Sequence, residues 1–506
     1  MFRADAFLGI DAGTQGVRAV LVDAGGAVLG TGSSPLGGGA DRRDGDRHEQ
    51  DPAAWWRALC AATRPALAAL GGRRLGALAI DSTSGTILQQ DRTGAARGPA
   101  LMYDDGRATA ETPRVQQAGA ALWHRLGYRI QPSWALPKAV WLAAHHPPRP
   151  GDRIVHQADQ LAAQLVGHPV ATDTSHALKT GVDPVTVGWP AGVLAAVGLD
   201  PAVLPEVVLP GTVLGAVSAR AAEETGIPAG TEVRAGMTDG CAAQIASRAL
   251  APGSWSSALG TTLVVKGATA EPLHDPTGTV YSHRNPDGGW LPGGASSTGA
   301  GIIPRDFPGA DLAQLTRGAA AYEPAPGVTY PLAGKGERFP FRAPEAHGFS
   351  SIPSSVEGDG GQAARFAGVL QGIAFVERLC YETLAGLGAD TSGPVTLTGG
   401  ATANTYWNQL RADVLGRTVL VPESAEAALG MAVLAAAPPG GLAATADRMV
   451  RIRHTYRPDA DRGARFAGAY HQLLAELRRR GWLAGQPDPP GRTDQTDAPD
   501  PKGTDA

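Results

Sequence analysis

Three short stretches of this chain place glycine beside threonine or acid in ways that suit phosphate chemistry. In "FLGIDAGTQG" (7–16) an apolar run ends on Asp11 and turns through Gly13, Thr14 and Gln15 into a second apolar run. "SSALGTTLVVKG" (256–267) repeats the layout, with Gly260, Thr261 and Thr262 at its turn, and "PVTLTGGATAN" (394–404) carries Gly399, Gly400 and Asn404. A phosphate needs several converging N–H donors, and glycine lets the backbone approach closely enough to supply them. Asp11 could hold Mg²⁺ directly or through water, because this hard cation takes oxygen ligands and keeps waters when phosphates share it. One Gly-Thr turn is most simply a plain hairpin. Two of them with a Gly-Gly turn shift the balance to nucleotide binding.

A phosphoryl acceptor also needs a carboxylate within hydrogen-bond reach of its hydroxyl. Asp239, in "GMTDGCAA", suits that role, although spacing alone favours a helix N-cap. "IDSTSGT" (80–86) gathers Asp81, Thr83 and Ser84, and "LMYDDGR" (101–107) gathers Tyr103, Asp104, Asp105 and Arg107. Either stretch could wall a hydroxyl-rich ligand, or could be a turn satisfied by its own Asx bonds. His48, His145 and His146 have no metal-ligand spacing and read as surface or capping residues. Other nucleotide motifs are missing: there is no GxxxxGK[ST], no GxGxxG between strand and helix, and no protein-kinase set.

The elements that must position these residues alternate strand and helix, which predicts an α/β layered fold. Residues 7–30 read as a β-meander, 51–70 as a helix with Pro52 in its first turn, and 74–81 as a strand ending on Asp81. The recurrence of strand, Gly-Thr turn and strand predicts two related lobes with a cleft between them. The boundary is placed near residue 246, giving a first lobe over 1–246 and a second over 247–455. A helical segment follows over 456–484, and the Pro-, Asp- and Gly-rich tail, 485–506, should be disordered.

Composition bounds the partners. The 506 residues are 43% hydrophobic and carry 44 lysines and arginines against 48 acids, for a net charge of −4. A chain this long exceeds a single core. No basic face for nucleic acid or anionic membrane is expected, and the arginines at 478–480 suit the end of a helix. Cys60, Cys241 and Cys380 form no CxxC pair, consistent with a reducing cytoplasm. No signal peptide or membrane-spanning stretch is evident.

The order of motifs resembles the FGGY carbohydrate kinases. It runs "GIDAGTQG", "AIDSTSGTILQQDRTG", "LMYDDGR", "LPKAVWL", "ATDTSHALKTG", "GMTDGCAA", "SSALGTTLVVKG", "TGGATANTYWNQL" and "EAALGMAVLAA", spanning about residues 7–437. The resemblance implies an actin-like ATPase fold of two ribonuclease-H-like lobes around a nucleotide cleft. "AIDSTSGT", "GTVYSHR" with "GGWLPGGASSTG", and "GKGERFPF" are most similar to the D-ribulose kinase branch. That implies ATP- and Mg²⁺-dependent phosphorylation of the terminal hydroxyl of a ketopentose, D-ribulose first. A xylulose kinase or another ketose or polyol kinase is the alternative, and a non-catalytic nucleotide-switched binding protein is the rival from another class. By this resemblance Asp239 is the catalytic base. Asp11, Gln15, Ser84, Asp105 and Asp239 face the sugar, with Asp11 also at the metal. Gly13, Thr14, Gly260, Thr261, Thr262, Gly399, Gly400 and Asn404 border the nucleotide. Gln15 stands where this branch commonly has serine. The implied partner is a small sugar, with no nucleic acid or membrane; a homodimer is compatible with the sequence and not demanded by it.

Overall fold

The computed structural model describes residues 5–353 and 358–483, so the expected disorder of 485–506 lies outside the described residues. The first lobe is built on a six-stranded sheet. Ala6–Ala12, Gly16–Asp23 and Val28–Pro35 form the expected antiparallel meander. Leu75–Ser82 lies parallel to Ala6–Ala12 on its other side, Glu232–Arg234 is parallel to that, and Val213–Ala216 closes the edge in the opposite sense. The parallel register sets Asp11 beside Asp81. Helix Pro52–Leu67 starts on an Asp51 cap and buries Trp55, Leu59, Ala62 and Ala66. Those positions recur at helical spacing, which is why the segment folds as a helix with one face inward.

The second lobe repeats this plan. Trp255–Leu259 and Leu263–Gly267 form the hairpin, Trp290–Ser296 continues the meander, and Tyr281–Arg284 pairs at its edge. Val395–Thr398 and Val419–Pro422 follow in parallel on the other side, and Ile452–Tyr456 closes the sheet antiparallel. Inside this lobe Arg411 and Glu377 form a wholly buried ion pair, with Arg411 Nε 2.6 Å from Glu377 Oε2 and its Nη2 also donating to Ser257 Oγ. The helical segment after the second sheet comprises Ala460–Arg465 and Ala467–Arg479, and Arg479 and Arg480 at its end pair with Glu476.

Helix Ala427–Ala436, "AALGMAVLAA", is buried on all sides, as an all-round apolar helix must be. It packs against the first lobe's strands and against helix Asp239–Ala246. One core there joins Val20, Ala79, Met237 and Ile245 to Met431 and Val433. Two glycines allow the approach. A Cβ on Gly9 would stand 1.7 Å from the Ala428 carbonyl oxygen, and one on Gly430 would stand 2.0 Å from that of Ala242. A cut at residue 246 therefore does not divide the packing, because a helix from late in the chain is built into the first lobe.

A second, smaller sheet in the first lobe joins Asp41–Asp44, Arg47–Gln50, Ala100–Leu101, Ile87–Gln90 and Arg153–His156. It carries the turn that presents Tyr103 to Arg107.

Candidate active site

Asp11 and Asp81 leave adjacent parallel strands on one face of the sheet. Asp81 is wholly buried, and no described group donates a hydrogen bond to either of its oxygens. Burial, then the negative charges of Asp11 and Asp239, push its pKa well above the carboxylate range. Its interaction with Asp11 works in turn to lower the pKa of Asp11. Burial also raises Asp11, against the pull of Arg18, whose Nη1 lies 3.2 Å from Oδ2. Asp239 is different. It is exposed at the first position of helix Asp239–Ala246, and among the described residues its carboxylate accepts only the Gly240 N–H, at 2.7 Å. Thr238, not Asp239, occupies the N-cap position. The capping role that spacing favoured is therefore filled by its neighbour, leaving the Asp239 side chain available.

Three acids thus meet at one place, and the metal can be tested against them. Among the described residues no three His, Cys, Asp or Glu side chains form a cage for a metal ion. Mg²⁺ bound with phosphates needs only one or two carboxylates beside its waters. Asp11, with the orphaned Asp81 oxygens behind it, fits that donor set.

The expected phosphate turns pair their glycine amides internally and leave the threonine amides open. Gly13 N–H donates to the Gly16 carbonyl and Gly260 N–H to that of Thr262, while the N–H groups of Thr14, Gln15, Thr261 and Thr262 have no acceptor among the described residues. The Gln50 amide holds the Thr14 carbonyl from behind at 2.8 Å. Gln15 points out, exposed, with no side-chain hydrogen bond among the described residues. Gly399 takes φ 88°, and its missing Cβ would stand 2.4 Å from the Leu259 oxygen, so it abuts the strand end that opens into Gly260. Gly400 and Asn404 then line a cavity of about 750 Å³ with Ala300, Leu312, Phe366 and Tyr406. Asn404 is already committed to structure: it caps helix Thr405–Leu415 through the Trp407 N–H and donates to Thr316 Oγ1. It forms the wall of that cavity.

A second cavity opens between the lobes. This cavity of about 420 Å³ is lined from the first lobe by Tyr103, Asp104, Trp134 and Lys179, and from the second by Lys266 and Arg338 among others. Asp239 stands beside it, since its charge acts on Tyr103, Lys179 and Tyr281. The Ser84 hydroxyl is enclosed and has no partner among the described residues, while its carbonyl accepts from Lys179 Nζ at 3.1 Å. Asp105 departs from the expected direct sugar contact. Both its oxygens are occupied, by the His48 N–H at 2.7 Å and by three N–H groups of Arg107, and it is buried. Paired inward in this way, it orders the turn and leaves Tyr103 and Asp104 at the cavity. Asp104 in turn is held by His48 and by Arg43.

Sequence reasoning missed the groups beneath this wall. Lys138 is wholly buried in helix Ala135–His145, and its Nζ donates to the carbonyls of Gly85 and Met102 at 2.7 Å and of Tyr103 at 3.3 Å. It ties the "STSGT" loop to the "YDDGR" turn. A lysine inside the apolar run "ALPKAVWLAA" was the available signal, since lysine is almost never buried unpaired. "ATDTSHALKTG" hides a second network. His176 bridges Asp173 at 2.5 Å and Ser82 at 2.9 Å, and Ser175 joins Thr238 at 3.1 Å to His283 of the second lobe at 3.2 Å. Burial works against the His176 imidazolium, but the Asp173 carboxylate outweighs it and raises its pKa. Ser82, His176 and Asp173 are the types of a hydrolytic triad, yet all are fully buried and no substrate reaches them. They hold the floor under Asp81 and Thr238.

Two lobes of one topology, apposed around unpaired backbone amides and a cluster of acids, define an actin-like ATPase fold. Residues 6–246 match the N-terminal domain, and residues 256–438 the C-terminal domain, of the FGGY family of carbohydrate kinases. The chain belongs to this family and is an ATP-dependent sugar kinase. It is 33% identical to a xylulose kinase of Streptomyces rubiginosus over 455 residues, covering 85% of this chain and 87% of that protein. It is 27% identical to an autoinducer-2 kinase of Yersinia pseudotuberculosis serotype O:3 over 97% of this chain and 96% of that one. The solved xylulose kinase of Rhodospirillum rubrum shares the fold, with a TM-score of 0.82 and 24% identity over 94% of this chain and 99% of that one.

Proposed function

We infer that this kinase phosphorylates the terminal hydroxyl of a ketopentose, D-ribulose first, giving D-ribulose 5-phosphate. The observation that carries the reading is Asp239: an exposed carboxylate on a helix start, with no hydrogen-bond partner among the described residues but its neighbour's amide, beside a cavity lined from both lobes. Asp239 orients the hydroxyl and takes its proton during attack on the γ-phosphorus. Ser84 hydrogen-bonds the sugar with its otherwise unpartnered hydroxyl, and Asp105 holds the turn behind it. The Gly13–Thr14 and Gly260–Thr262 turns grip the phosphates through the free amides of Thr14, Thr261 and Thr262, with Gly13 and Gly260 keeping the backbone bare, and Gly399, Gly400 and Asn404 shape the nucleotide wall. Asp11, backed by Asp81, would hold Mg²⁺, which when bound neutralises phosphate charge. Apposition of the lobes excludes water, so that the sugar receives the phosphoryl group. The activity is assigned to the cytoplasm, where ATP is found and three free cysteines remain reduced. Among the described residues no helix is long and apolar enough to cross a membrane.

Preference for ribulose rests on "AIDSTSGT" and "GKGERFPF", the stretches most similar to that branch. D-xylulose is the second reading, favoured by the 33% identity to a xylulose kinase. Sugar-dependent ADP release over D-ribulose, D-xylulose, other ketoses and polyols tests both. The highest kcat/KM on D-ribulose is expected. A clear preference for xylulose would transfer the assignment, and ATP binding without turnover on any sugar would overturn it.

A further inference from the structure

We propose that Lys179, Lys266 and Arg338 form an anion-holding set for the phosphate ester made in the cleft, an inference that rests on the kinase reading of Asp239. The three cations come from separate parts of the fold and line one cavity of about 420 Å³. Lys266 belongs to the strand Leu263–Gly267, which leaves the Gly260–Thr262 turn directly, so one rigid hairpin carries both the unpaired amides and the lysine. A Cβ on Gly240 would stand 3.3 Å from Lys266 Cε, which sets the end of that side chain over the first turn of the Asp239 helix. Arg338 follows the strand Thr329–Glu337, and Lys179 lies close enough to Asp239 for the two charges to interact.

Their polar contacts are with neutral atoms. Lys179 meets the Ser84 carbonyl at 3.1 Å, Lys266 lies 3.6 Å from Cys241 Sγ, and Arg338 reaches the Ser296 carbonyl at 3.5 Å. Among the described residues no carboxylate closes an ion pair with any of the three. The nearby acids are engaged elsewhere. Glu337 accepts from Ser296, Thr298 and Tyr330, and Asp104 from His48 and Arg43. Lys266, Arg338 and Lys179, whose charged form burial disfavours, thus stand at the cavity without a carboxylate partner among the described residues, while Asp104 on the same wall is matched by Arg43.

A neutral ketose has no need of such a field, whereas the reaction creates one ligand that does. Asp239 accepts the proton of the terminal hydroxyl, whose oxygen bonds to the γ-phosphorus. The bond from that phosphorus to the bridging oxygen breaks, and its electron pair leaves with ADP. Negative charge is thereby delivered into the cavity, first on the phosphoryl group in transit and then on the sugar ester, where preorganised cations stabilise it more than the neutral ground state.

Lys266→Met and Arg338→Met in the full chain, assayed with whichever sugar is accepted, test this. Arg338 is exposed, so its variant keeps the fold. The expected result is a fall in kcat of about ten-fold or more with sugar KM within about three-fold, and inhibition by the product ester weakened about ten-fold. Lys266→Arg should recover much of the loss. A raised sugar KM with kcat and ester inhibition intact would overturn the proposal and make these residues readers of sugar hydroxyls; unchanged kinetics would overturn it as well. Should no sugar be accepted, calorimetric titration with inorganic phosphate decides: weaker binding by the double variant supports the site, and equal binding removes it.

Discussion

Asp239 and its neighbours show how far a residue's surroundings decide its use. Asp81 and Asp105 have the chemistry of Asp239, yet one is buried, where its charged form is disfavoured, and the other is saturated by Arg107 and His48. Only Asp239 keeps a carboxylate free to meet a hydroxyl. Asp239→Asn should lower kcat by ~10²–10⁴ with an unchanged melting temperature, as read by coupled ADP release and thermal unfolding. Ser84→Ala should raise sugar KM about ten-fold, one lost hydrogen bond of ~1.4 kcal/mol, with little change in ATP KM. Lys138 belongs here too. Its replacement by Met strands three buried carbonyls and should cost ~3 kcal/mol by urea unfolding. Burial lowers its pKa to about 7, well below that of an unfolded lysine. Between that value and the unfolded one near ~10.4 the unfolded chain binds more protons, so wild-type stability should rise with pH over this window relative to Lys138→Met. Urea midpoints at the two ends of the window check the sign.

Among elements, the Gly-Thr hairpins and the strand ends were legible because a glycine-threonine turn between two apolar runs has few other solutions. The meander at 7–30 and the helix from Pro52 are found as the pattern predicts. Helix Ala427–Ala436 shows what local pattern leaves out. Its apolar residues face every direction, so periodicity cannot say what it packs against. Only the assembled fold puts it on the first lobe's sheet. The two close backbone crossings make a sharp test. Gly430→Ala, whose new Cβ would lie 2.0 Å from the Ala242 oxygen, should leave little soluble folded protein. Gly334→Ala, with nothing within 4 Å, should melt as the wild type does.

For the whole molecule, the cleft is a shared construction. Asp239 opens a helix whose partner helix is drawn from residues 427–436, and the cavity beside it takes Tyr103 and Lys179 from one lobe and Lys266 and Arg338 from the other. Sugar and nucleotide bound together should draw the lobes closer. Small-angle scattering with the accepted sugar and a non-hydrolysable ATP analogue should give a smaller radius of gyration than either ligand alone, and equal values would mean the cleft needs no closure. The buried Arg411–Glu377 pair anchors the second lobe. Glu377→Ala should destabilise it by ~3–5 kcal/mol, since it strands a charge in the core, as measured by denaturant unfolding.

Local chemistry was readable along the chain: the two glycine-threonine hairpins, the acid-ended strands and the order of motifs that identifies a sugar kinase family. Those features follow from backbone sterics and side-chain type within about ten residues of chain. The assembled fold sets which acid is free, which is buried where its charge is disfavoured and which is spent on an arginine. It also brings Lys138 under two distant loops and gathers Lys179, Lys266 and Arg338, without a carboxylate partner among the described residues, at one cavity. Burial, charge neighbours and hydrogen-bond partners in this protein come from segments tens to hundreds of residues apart, and the linear pattern carries no record of those distances.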